Sequence, residues 1–278
     1  MTTLTPRSFL YCSALNESQF CKSTNTDVTV IDLEDGVAKE RKAEARAIVS
    51  GFYRCPVSAC TALRINSIYH PEGLKDILLV NALPHKPNYV VMAMVESAAE
   101  IDIVRQNLSD SAIRLLVTVE TPACMRVIYD VAAVSDGLIF GSADYAASLG
   151  VAIGGWTNIL HARSQIVAAA SYAGIPAFDT AYFKLGDEQG LAEECKQVMQ
   201  LGFAGKTAIH PNQIDTINAA FTPTKAEIAH AEAVLATVES SGNNITKLDR
   251  MMIGPPFVKL AQKILARRRA LEQKQGVL

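Results

Sequence analysis

The sequence has no run of apolar residues that approaches the ~18 to 20 needed to cross a bilayer. Its first residues, MTTLTPRSFLYC, lack both a cationic start and a long apolar stretch, so they do not form a signal peptide. The 6 cysteines include no CxxC pair and no zinc-ligand spacing, which is typical of reduced thiols. We therefore expect a cytoplasmic protein with no membrane partner.

A strong net charge is also missing. The chain has 26 Lys and Arg against 28 Asp and Glu, a formal net charge of -2 that gives no reason to expect a nucleic-acid partner. Charged residues make up 19% and hydrophobic residues 49%, which excludes a disordered, collagen-like or coiled-coil chain. No GxGxxG motif follows the first strand-like run, which argues against a dinucleotide-binding fold.

The sequence does contain a repeated alternation of short apolar runs and helix-like segments. Several runs are continuously apolar, as expected for strands buried on both faces of a parallel sheet. Eight such runs, each followed by a helix-like stretch, predict a (β/α)8 TIM barrel better than an open sheet. The predicted strands are residues 8–12, 28–33, 62–66, 89–95, 113–119, 137–140, 175–179 and 206–209.

The pattern changes after residue 221. Thr224 and Glu227 form a capping box ahead of an apolar stripe, turn residues occupy 240–244, and Pro255 begins another helix. We assign residues 1–222 to a barrel catalytic domain and 223–278 to a C-terminal helical appendage. This appendage either caps the barrel or packs on a neighbouring subunit.

Charged residues follow the predicted strands at the end where (β/α)8 barrels place their active sites. Carboxylates gathered on one rim would repel one another without a cation, which indicates a divalent metal with oxygen ligands, by default Mg²⁺. The residues that follow successive strands are Asp32, Glu34, Asp35, Arg64, Glu96, Glu120, Asp144, Asp179 and His210.

Each of these features also has a purely structural interpretation. The acids of DLED could cap a helix, and Glu120 could mark a turn before Pro122. Arg64 could form a rim ion pair, and His210 could be a core histidine bonded to backbone. Their ordered placement after successive strands is what favours a functional site.

Four motifs in this order carry a family resemblance. They are Asp32-Leu33-Glu34-Asp35, Glu120-Thr121-Pro122, Phe140-Gly141-Ser142-Ala143-Asp144, and the stretch GFAGKTAIHPNQ at 202–213. With them the chain resembles the HpcH/HpaI aldolase and citrate lyase β-subunit family, in its branch of CoA-thioester lyases. Further matches extend the resemblance from Arg7 to about Ala261.

The resemblance implies a role for each rim residue. Glu120 and Asp144 would bind Mg²⁺, and Arg64 would hold a carboxylate or carbonyl of the substrate, for which its planar fork is suited. Glu34 and Asp35 would belong to the same rim.

Further residues are implied to contact the CoA thioester. Arg7 would lie near the thioester or the CoA moiety. Ile209, His210 and Pro211 would line the CoA channel, with His210 structural rather than a base.

Two positions depart from the family pattern. Many relatives carry a general acid/base aspartate in a C-terminal motif resembling GKMID, presented by a neighbouring subunit, and Gly254 stands at that position here. Asp249, five residues earlier, is the candidate substitute. A Pro-Lys pair that is common in relatives is Ala93-Met94 here.

The implied function is Mg²⁺-dependent carbon–carbon cleavage of a 3-hydroxyacyl-CoA thioester into acetyl-CoA and an α-keto acid. Mg²⁺ would act as a Lewis acid, Arg64 or Arg7 would stabilise the enolate, and a carboxylate would move the hydroxyl proton. Citramalyl-CoA is favoured over malyl-CoA and a citryl thioester. The alternatives are a class II pyruvate aldolase on free hydroxy-keto acids and a relative that binds ligands without turnover. By analogy we expect a homo-oligomer, a trimer or hexamer.

Overall fold

A computed structural model describes residues 5–21, 25–242 and 245–275. Eight parallel strands form a closed barrel whose strand order follows the chain. The prediction of a TIM barrel followed by C-terminal helices is confirmed, and each predicted run overlaps one strand. The strands are β1 (Ser8–Ser13), β2 (Val28–Asp32), β3 (Thr61–Ile65), β4 (Tyr89–Met92), β5 (Arg114–Val119), β6 (Gly137–Phe140), β7 (Ala177–Asp179) and β8 (Gly205–Ala208).

Helices connect these strands and continue after the last one. Two of them, Leu160–Ala173 and Glu188–Leu201, end at Gly174 and Gly202, whose φ angles of 74° and 109° suit a residue without a side chain. None of the described helices is both long and apolar enough to cross a membrane. The helices are α1 (Lys42–Phe52), α2 (Pro71–Ala82), α3 (Ala98–Asn107), α4 (Pro122–Arg126), α5 (Ile128–Val134), α6 (Ser142–Ser148), α7 (Leu160–Ala173), α8 (Glu188–Leu201), α9 (Ile214–Ala220), α10 (Lys225–Ser240) and α11 (Pro255–Gln275), with 3-10 turns at Glu17–Gln19, Lys39–Arg41 and Pro211–Gln213.

A layer of apolar side chains fills the barrel interior. The Phe9 ring on β1 lies 6.2 Å from that of Tyr89 on β4, and these two strands are not neighbours, so the layer crosses the barrel. Because side chains alternate along a strand, residues two positions further on lie on the same face, towards the C-terminal rim. The layer consists of Phe9, Val28, Val30, Ala62, Tyr89, Val91, Leu116, Ile139 and Phe178.

The barrel closes where its first and last strands meet. Ser8 pairs with Lys206, and Leu10 pairs with Ala208. A Cβ atom at Gly205 would lie 2.8 Å from the carbonyl oxygen of Pro6, so only glycine fits this closure.

A buried ion network joins the last two strands to the outer helices. Asp179 on β7 accepts from Arg163 Nε at 2.9 Å and from Lys206 Nζ at 2.6 Å, and Lys206 also binds Glu194 at 2.6 Å. Burial alone would raise the pKa of Asp179, but Lys206 and Arg163 lower it below its ordinary value. The sequence placed Asp179 among the rim carboxylates; the structure corrects this, because two cations already neutralise the side chain inside the fold.

Among the described residues, those from Ala219 onward form a compact unit of their own, apart from Pro6–Asn218. Its helix α10 begins with the predicted capping box, in which the Thr224 hydroxyl accepts from the Glu227 N–H. Asn243 and Asn244, part of the predicted helix break, lie outside the described residues. The predicted domain boundary after residue 222 stays a prediction. One apolar cluster of this unit consists of Ala231, Val234, Val238, Ile253, Ala261 and Leu265.

The sequence did not predict the hairpin that precedes α11. Its strands are β9 (Thr246–Leu248) and β10 (Met251–Ile253), and Leu248 pairs with Met251. The two turn residues, Asp249 and Arg250, both have positive φ angles, 45° and 67°. A two-residue hairpin turn of this kind favours Asn-Gly or Asp-Gly. Here arginine stands in place of the glycine, so the turn could not be recognised from the sequence.

Candidate active site

Polar side chains from four strands meet at the C-terminal rim of the barrel. Asp32 and Arg64 lie two residues beyond the interior residues Val30 and Ala62, so they project above the apolar layer. Glu120 directly follows β5, and Asp144 lies in the first turn of α6, after β6.

Arg64 is held by two carboxylates, one at the end of β2 and one in the loop that follows it. Its Nε and Nη2 donate to the two oxygens of Asp32 at 2.7 and 2.6 Å, and its Nη1 lies 3.0 Å from Glu34 Oε2. Burial alone would lower the pKa of Arg64, but the bonds to Asp32 and the nearby charges raise it overall. The guanidinium therefore stays charged and fixed in orientation.

Asp32 is the residue that orients this arginine, and no role of its own was predicted for it. Besides Arg64, its oxygens accept the N–H groups of Glu34 and Gly36, both at 2.8 Å. A carboxylate with this many donors is a support and not a free base. In the sequence, Asp32 could be recognised only by its place near the end of the predicted buried strand 28–33.

The two acids of this loop, Glu34 and Asp35, differ in environment. Glu34 is partly buried beside Arg64, and burial raises the pKa of its carboxyl although the arginine lowers it. Asp35 is exposed, and its N–H donates to Glu34 Oε2 at 2.9 Å.

Glu120 is a nearly fully buried carboxylic acid, 4% exposed. The pKa of Glu120 is raised to about 8, mainly by burial; the Met94 N–H that donates to Oε1 acts to lower it, and the charge of Glu34 acts to raise it. Met94 has a φ of 54°, a left-handed conformation that costs a residue with a Cβ atom ~1 to 2 kcal/mol. This turn ends β4 earlier than predicted and aims the N–H at the carboxylate.

The residues around Glu120 leave room for its second oxygen. A Cβ atom at Gly141 would lie 2.7 Å from Glu120 Oε2, so a side chain there would fill the space beside the carboxylate. Asp144 lies three residues after Gly141, in the first turn of α6, and is exposed. Partial desolvation raises the pKa of Asp144, with a further contribution from Asp35.

These two carboxylates have the chemistry of a Mg²⁺ site. Within the described parts of the chain, no group of three or more His, Cys, Asp and Glu residues is arranged to hold a metal ion. Mg²⁺ commonly binds one or two protein carboxylates and completes its shell with waters and substrate oxygens. A buried acid that resists ionisation is stabilised in its charged form by a cation, so Glu120 and Asp144 fit this ion.

A second feature of the rim follows β8. His210 Nδ1 accepts the Asn212 N–H at 3.2 Å, and the Gln213 side chain accepts the N–H groups of Ile209 and His210. His210 thus caps the turn Pro211–Gln213, and it is exposed rather than in the core. Beside it lies a cleft of ≈ 330 Å³, lined among others by Tyr182, Lys184, Leu185, His210 and Asn212.

Arg7 does not reach this rim. It precedes β1, at the opposite end of the barrel from Arg64, and its Nε lies 2.8 Å from Asp27 Oδ2. The resemblance implied a place for Arg7 near the thioester or the CoA moiety, whereas Arg7 directly precedes the predicted strand 8–12 and so lies at the other end of the barrel.

The C-terminal candidates lie in the second unit. Asp249 occupies the β9–β10 turn. Gly254 does not have a left-handed φ, and a Cβ atom there would meet only the flexible Ile245 side chain, at 3.3 Å. No backbone constraint therefore requires glycine at position 254.

Comparison with known proteins identifies the family of this chain. The sequence pattern of the HpcH/HpaI aldolase/citrate lyase family matches residues 7–211. The mitochondrial citramalyl-CoA lyase of Rattus norvegicus is 30% identical over 299 residues, covering 96% of this chain and 87% of that protein. Citrate lyase subunit beta of Escherichia coli (strain K12) is 30% identical over 285 residues, covering 95% and 94%.

A solved structure extends the likeness to three dimensions. The crystal structure of CitE from Mycobacterium tuberculosis in complex with magnesium, acetoacetate and coenzyme A superimposes with a TM-score of 0.81 at 27% identity, covering 96% of this chain and 99% of that one. The chain therefore belongs to the HpcH/HpaI aldolase/citrate lyase family, a family of oxo-acid carbon–carbon lyases.

Proposed function

We propose that this protein is a Mg²⁺-dependent lyase that cleaves a 3-hydroxyacyl-CoA thioester into acetyl-CoA and an α-keto acid. Citramalyl-CoA is the favoured substrate, ahead of malyl-CoA and a citryl thioester. The observation that carries the proposal is the pairing, on one rim, of a fixed arginine with the buried carboxyl of Glu120. The similarity to citramalyl-CoA lyase and to a CitE bound to magnesium and coenzyme A supports it.

The keto-acid half of the substrate would lie between Arg64 and the two carboxylates. Glu120 and Asp144 would hold Mg²⁺, which supplies Lewis-acid polarisation of the oxygen that becomes the ketone. Arg64, oriented by Asp32 and Glu34, would bind the substrate carboxylate with its outer N–H groups. Glu34, whose pKa burial raises, is better placed than the exposed Asp35 to move the hydroxyl proton.

The CoA moiety would occupy the cleft beside Ile209, His210 and Pro211. Lys184 lines this cleft and offers a cation to a phosphate, and Leu185 offers apolar surface to the pantetheine arm. His210, whose Nδ1 accepts a backbone N–H, would shape the cleft and not act as a base.

The decisive experiment is a lyase assay on a panel of CoA thioesters. We expect keto-acid release from citramalyl-CoA, lost on addition of EDTA and restored by excess Mg²⁺. Absence of cleavage for every thioester in the panel contradicts the proposal.

Calorimetry of CoA binding separates the class II aldolase from the lyase, and the thioester panel separates the inactive relative. A class II aldolase acting on free hydroxy-keto acids binds no CoA. A catalytically inactive relative, which the glycine at position 254 would favour, binds CoA and Mg²⁺ but releases no product from any member of the panel.

The remaining expectations concern the whole protein. We propose a homo-oligomer, a trimer or hexamer, in line with the resemblance and with the exposed apolar side chains of Met251 and Met252. Cytoplasmic localisation and the absence of a nucleic-acid partner stay predictions.

A further inference from the structure

The C-terminal end of β1 contributes a residue to the rim that the sequence did not single out. Tyr11 lies two positions after Phe9, on the same face of the strand, and its ring packs against the interior layer. It therefore stands directly above the apolar core, inside the mouth of the barrel. In the sequence it belongs to a short apolar run and resembles an ordinary core aromatic.

Tyr11 is in contact with the arginine of the proposed site. The Arg64 Cζ lies 5.2 Å from the centroid of the Tyr11 ring, within the range of a cation–π interaction. This guanidinium is the one fixed by Asp32 and Glu34, so the position of the Tyr11 ring relative to the site is fixed as well.

The hydroxyl of Tyr11 has no partner within the part of the chain that the structure describes. No hydrogen bond links it to residues 5–21, 25–242 or 245–275, and it is not one of their enclosed unpaired atoms, so it remains accessible. By contrast, the hydroxyl of Tyr53, a fully buried tyrosine, bonds to Thr61 Oγ1 at 2.8 Å. The ring of Tyr11 is only partly buried, and its accessible hydroxyl is available to a ligand.

The surroundings keep this hydroxyl protonated. Burial raises the pKa of Tyr11; the charge of Arg64 lowers it, and the carboxylates of Asp32, Glu120 and Glu34 raise it. The phenol is thus a neutral donor among charged groups.

The other donors at the rim are bonded within the site or, for the remaining N–H groups of Arg64, assigned to the substrate carboxylate. Two nitrogens of Arg64 bond to Asp32, a third faces Glu34, and the Met94 N–H donates to Glu120. Cleavage of a carbon–carbon bond next to a thioester sends an electron pair towards the thioester oxygen, where a preorganised neutral donor lowers the barrier.

We propose that Tyr11 is a catalytic residue of this lyase, whose hydroxyl donates a hydrogen bond to the enolate oxygen that develops on the acetyl-CoA half. This inference rests on the proposed function. The proton stays on Tyr11. The base of the proposed function takes the substrate's hydroxyl proton and, once protonated, returns a proton to the enolate carbon, which gives acetyl-CoA with no oxidant.

The test is Tyr11→Phe, which keeps the ring against Arg64 and removes only the hydroxyl. We expect kcat for thioester cleavage to fall ~100-fold or more, as for loss of one oxyanion-hole donor, with KM little changed. A second readout is deuterium exchange into the methyl group of acetyl-CoA in D2O, which requires the enolate but no carbon–carbon cleavage. It should slow by a similar factor.

Tyr53→Phe is the matched control, since it also removes one phenol hydroxyl, in this case a buried one far from the rim. We expect it to lower the melting temperature and leave kcat unchanged.

The outcomes separate the two proposals. If the wild-type protein cleaves no thioester, the proposed function fails and this inference with it. If the wild type is active and Tyr11→Phe matches its kcat and exchange rate, only the inference fails. A Tyr11→Phe protein that does not fold overturns it too, because the hydroxyl would then have a structural partner.

Discussion

At the residue scale, some residues of the rim position other rim residues and have no proposed contact with substrate. Asp32 orients Arg64, and Met94 adopts a strained backbone conformation to present its N–H to Glu120. Such strain persists only where the surrounding structure imposes it, and it is common beside active sites. The pattern favours a preorganised site over a set of unrelated surface charges.

Asp249 provides a residue-scale prediction. Its positive φ in a two-residue turn explains an aspartate there without any catalytic role. We expect Asp249→Asn to keep both the turn and the lyase kcat, since asparagine also tolerates this conformation. Asp249→Ala should lower stability by ~1 kcal/mol through backbone strain alone.

Steady-state kinetics and urea unfolding of both variants check this. A large loss of kcat in Asp249→Asn, with unchanged unfolding, would identify Asp249 as the acid–base residue and contradict our expectation.

The sequence was a good guide to residues that directly follow a strand. Arg64, Glu120 and Asp144 could be placed on one rim because parallel strands end together. The same rule excludes Arg7 from this rim, because Arg7 precedes its strand. It does not identify Tyr11, which lies within an apolar run, where a tyrosine that fills the core and one that faces a substrate look alike.

At the element scale, the buried network of Arg163, Asp179, Lys206 and Glu194 ties β7 and β8 to helices α7 and α8. Removing one partner of such a network leaves an uncompensated buried charge, which is far more costly than the net value of the intact pair. The network therefore makes these elements dependent on one another.

We predict that Asp179→Asn lowers the free energy of unfolding at pH 7 by ~3 to 5 kcal/mol, because it leaves Lys206 and Arg163 short of a carboxylate. The folded pKa of Asp179 lies below its ordinary value, so its contribution is complete at neutral pH and is lost as the pH falls below about 4. The wild type should thus lose more stability than the variant between pH 5 and pH 3.

Urea unfolding at each pH measures both effects. Glu44→Gln serves as the control, because it breaks an exposed Arg–carboxylate pair within one helical turn and should change little. Equal pH dependence in the wild type and Asp179→Asn would contradict the assignment.

Element boundaries show where sequence reasoning stops. The Thr224 capping box and the Pro255 helix start were readable because their chemistry is local. The β9–β10 hairpin was not, since its strands are short, largely exposed and joined by Asp-Arg instead of a glycine-containing pair.

At the scale of the whole molecule, metal binding should be visible as stability. We predict that Mg²⁺ at about 100 times its Kd stabilises the folded protein by ~2.7 kcal/mol. For a chain of this size we expect a rise in melting temperature of roughly 5 to 10 °C. Glu120→Gln and Asp144→Asn should abolish this shift, because each removes an anionic ligand.

Thermal melts with Mg²⁺ or EDTA provide the measurement, independently of any activity. The matched control is Glu96→Gln, which removes an exposed carboxylate that follows β4 and should keep the full shift. No shift in the wild type, or an equal shift in all variants, would refute the metal assignment.

The eight-stranded fold itself was predictable because the apolar runs are short, continuous and regularly spaced. The pairing of ions inside it was not, since Asp179 and Glu120 both follow buried strands and only the neighbouring cations distinguish a structural carboxylate from a metal ligand.

The contact of Ser8 with Lys206 has a consequence for how the chain is made. A strand synthesised near the beginning waits for the last barrel strand before both of its edges are paired. Until then β1 presents one open edge, which is a template for wrong pairing with other chains. Contacts between residues far apart in sequence form slowly. The time for which this edge stays open is therefore set by translation and by the final pairing of β1 with β8.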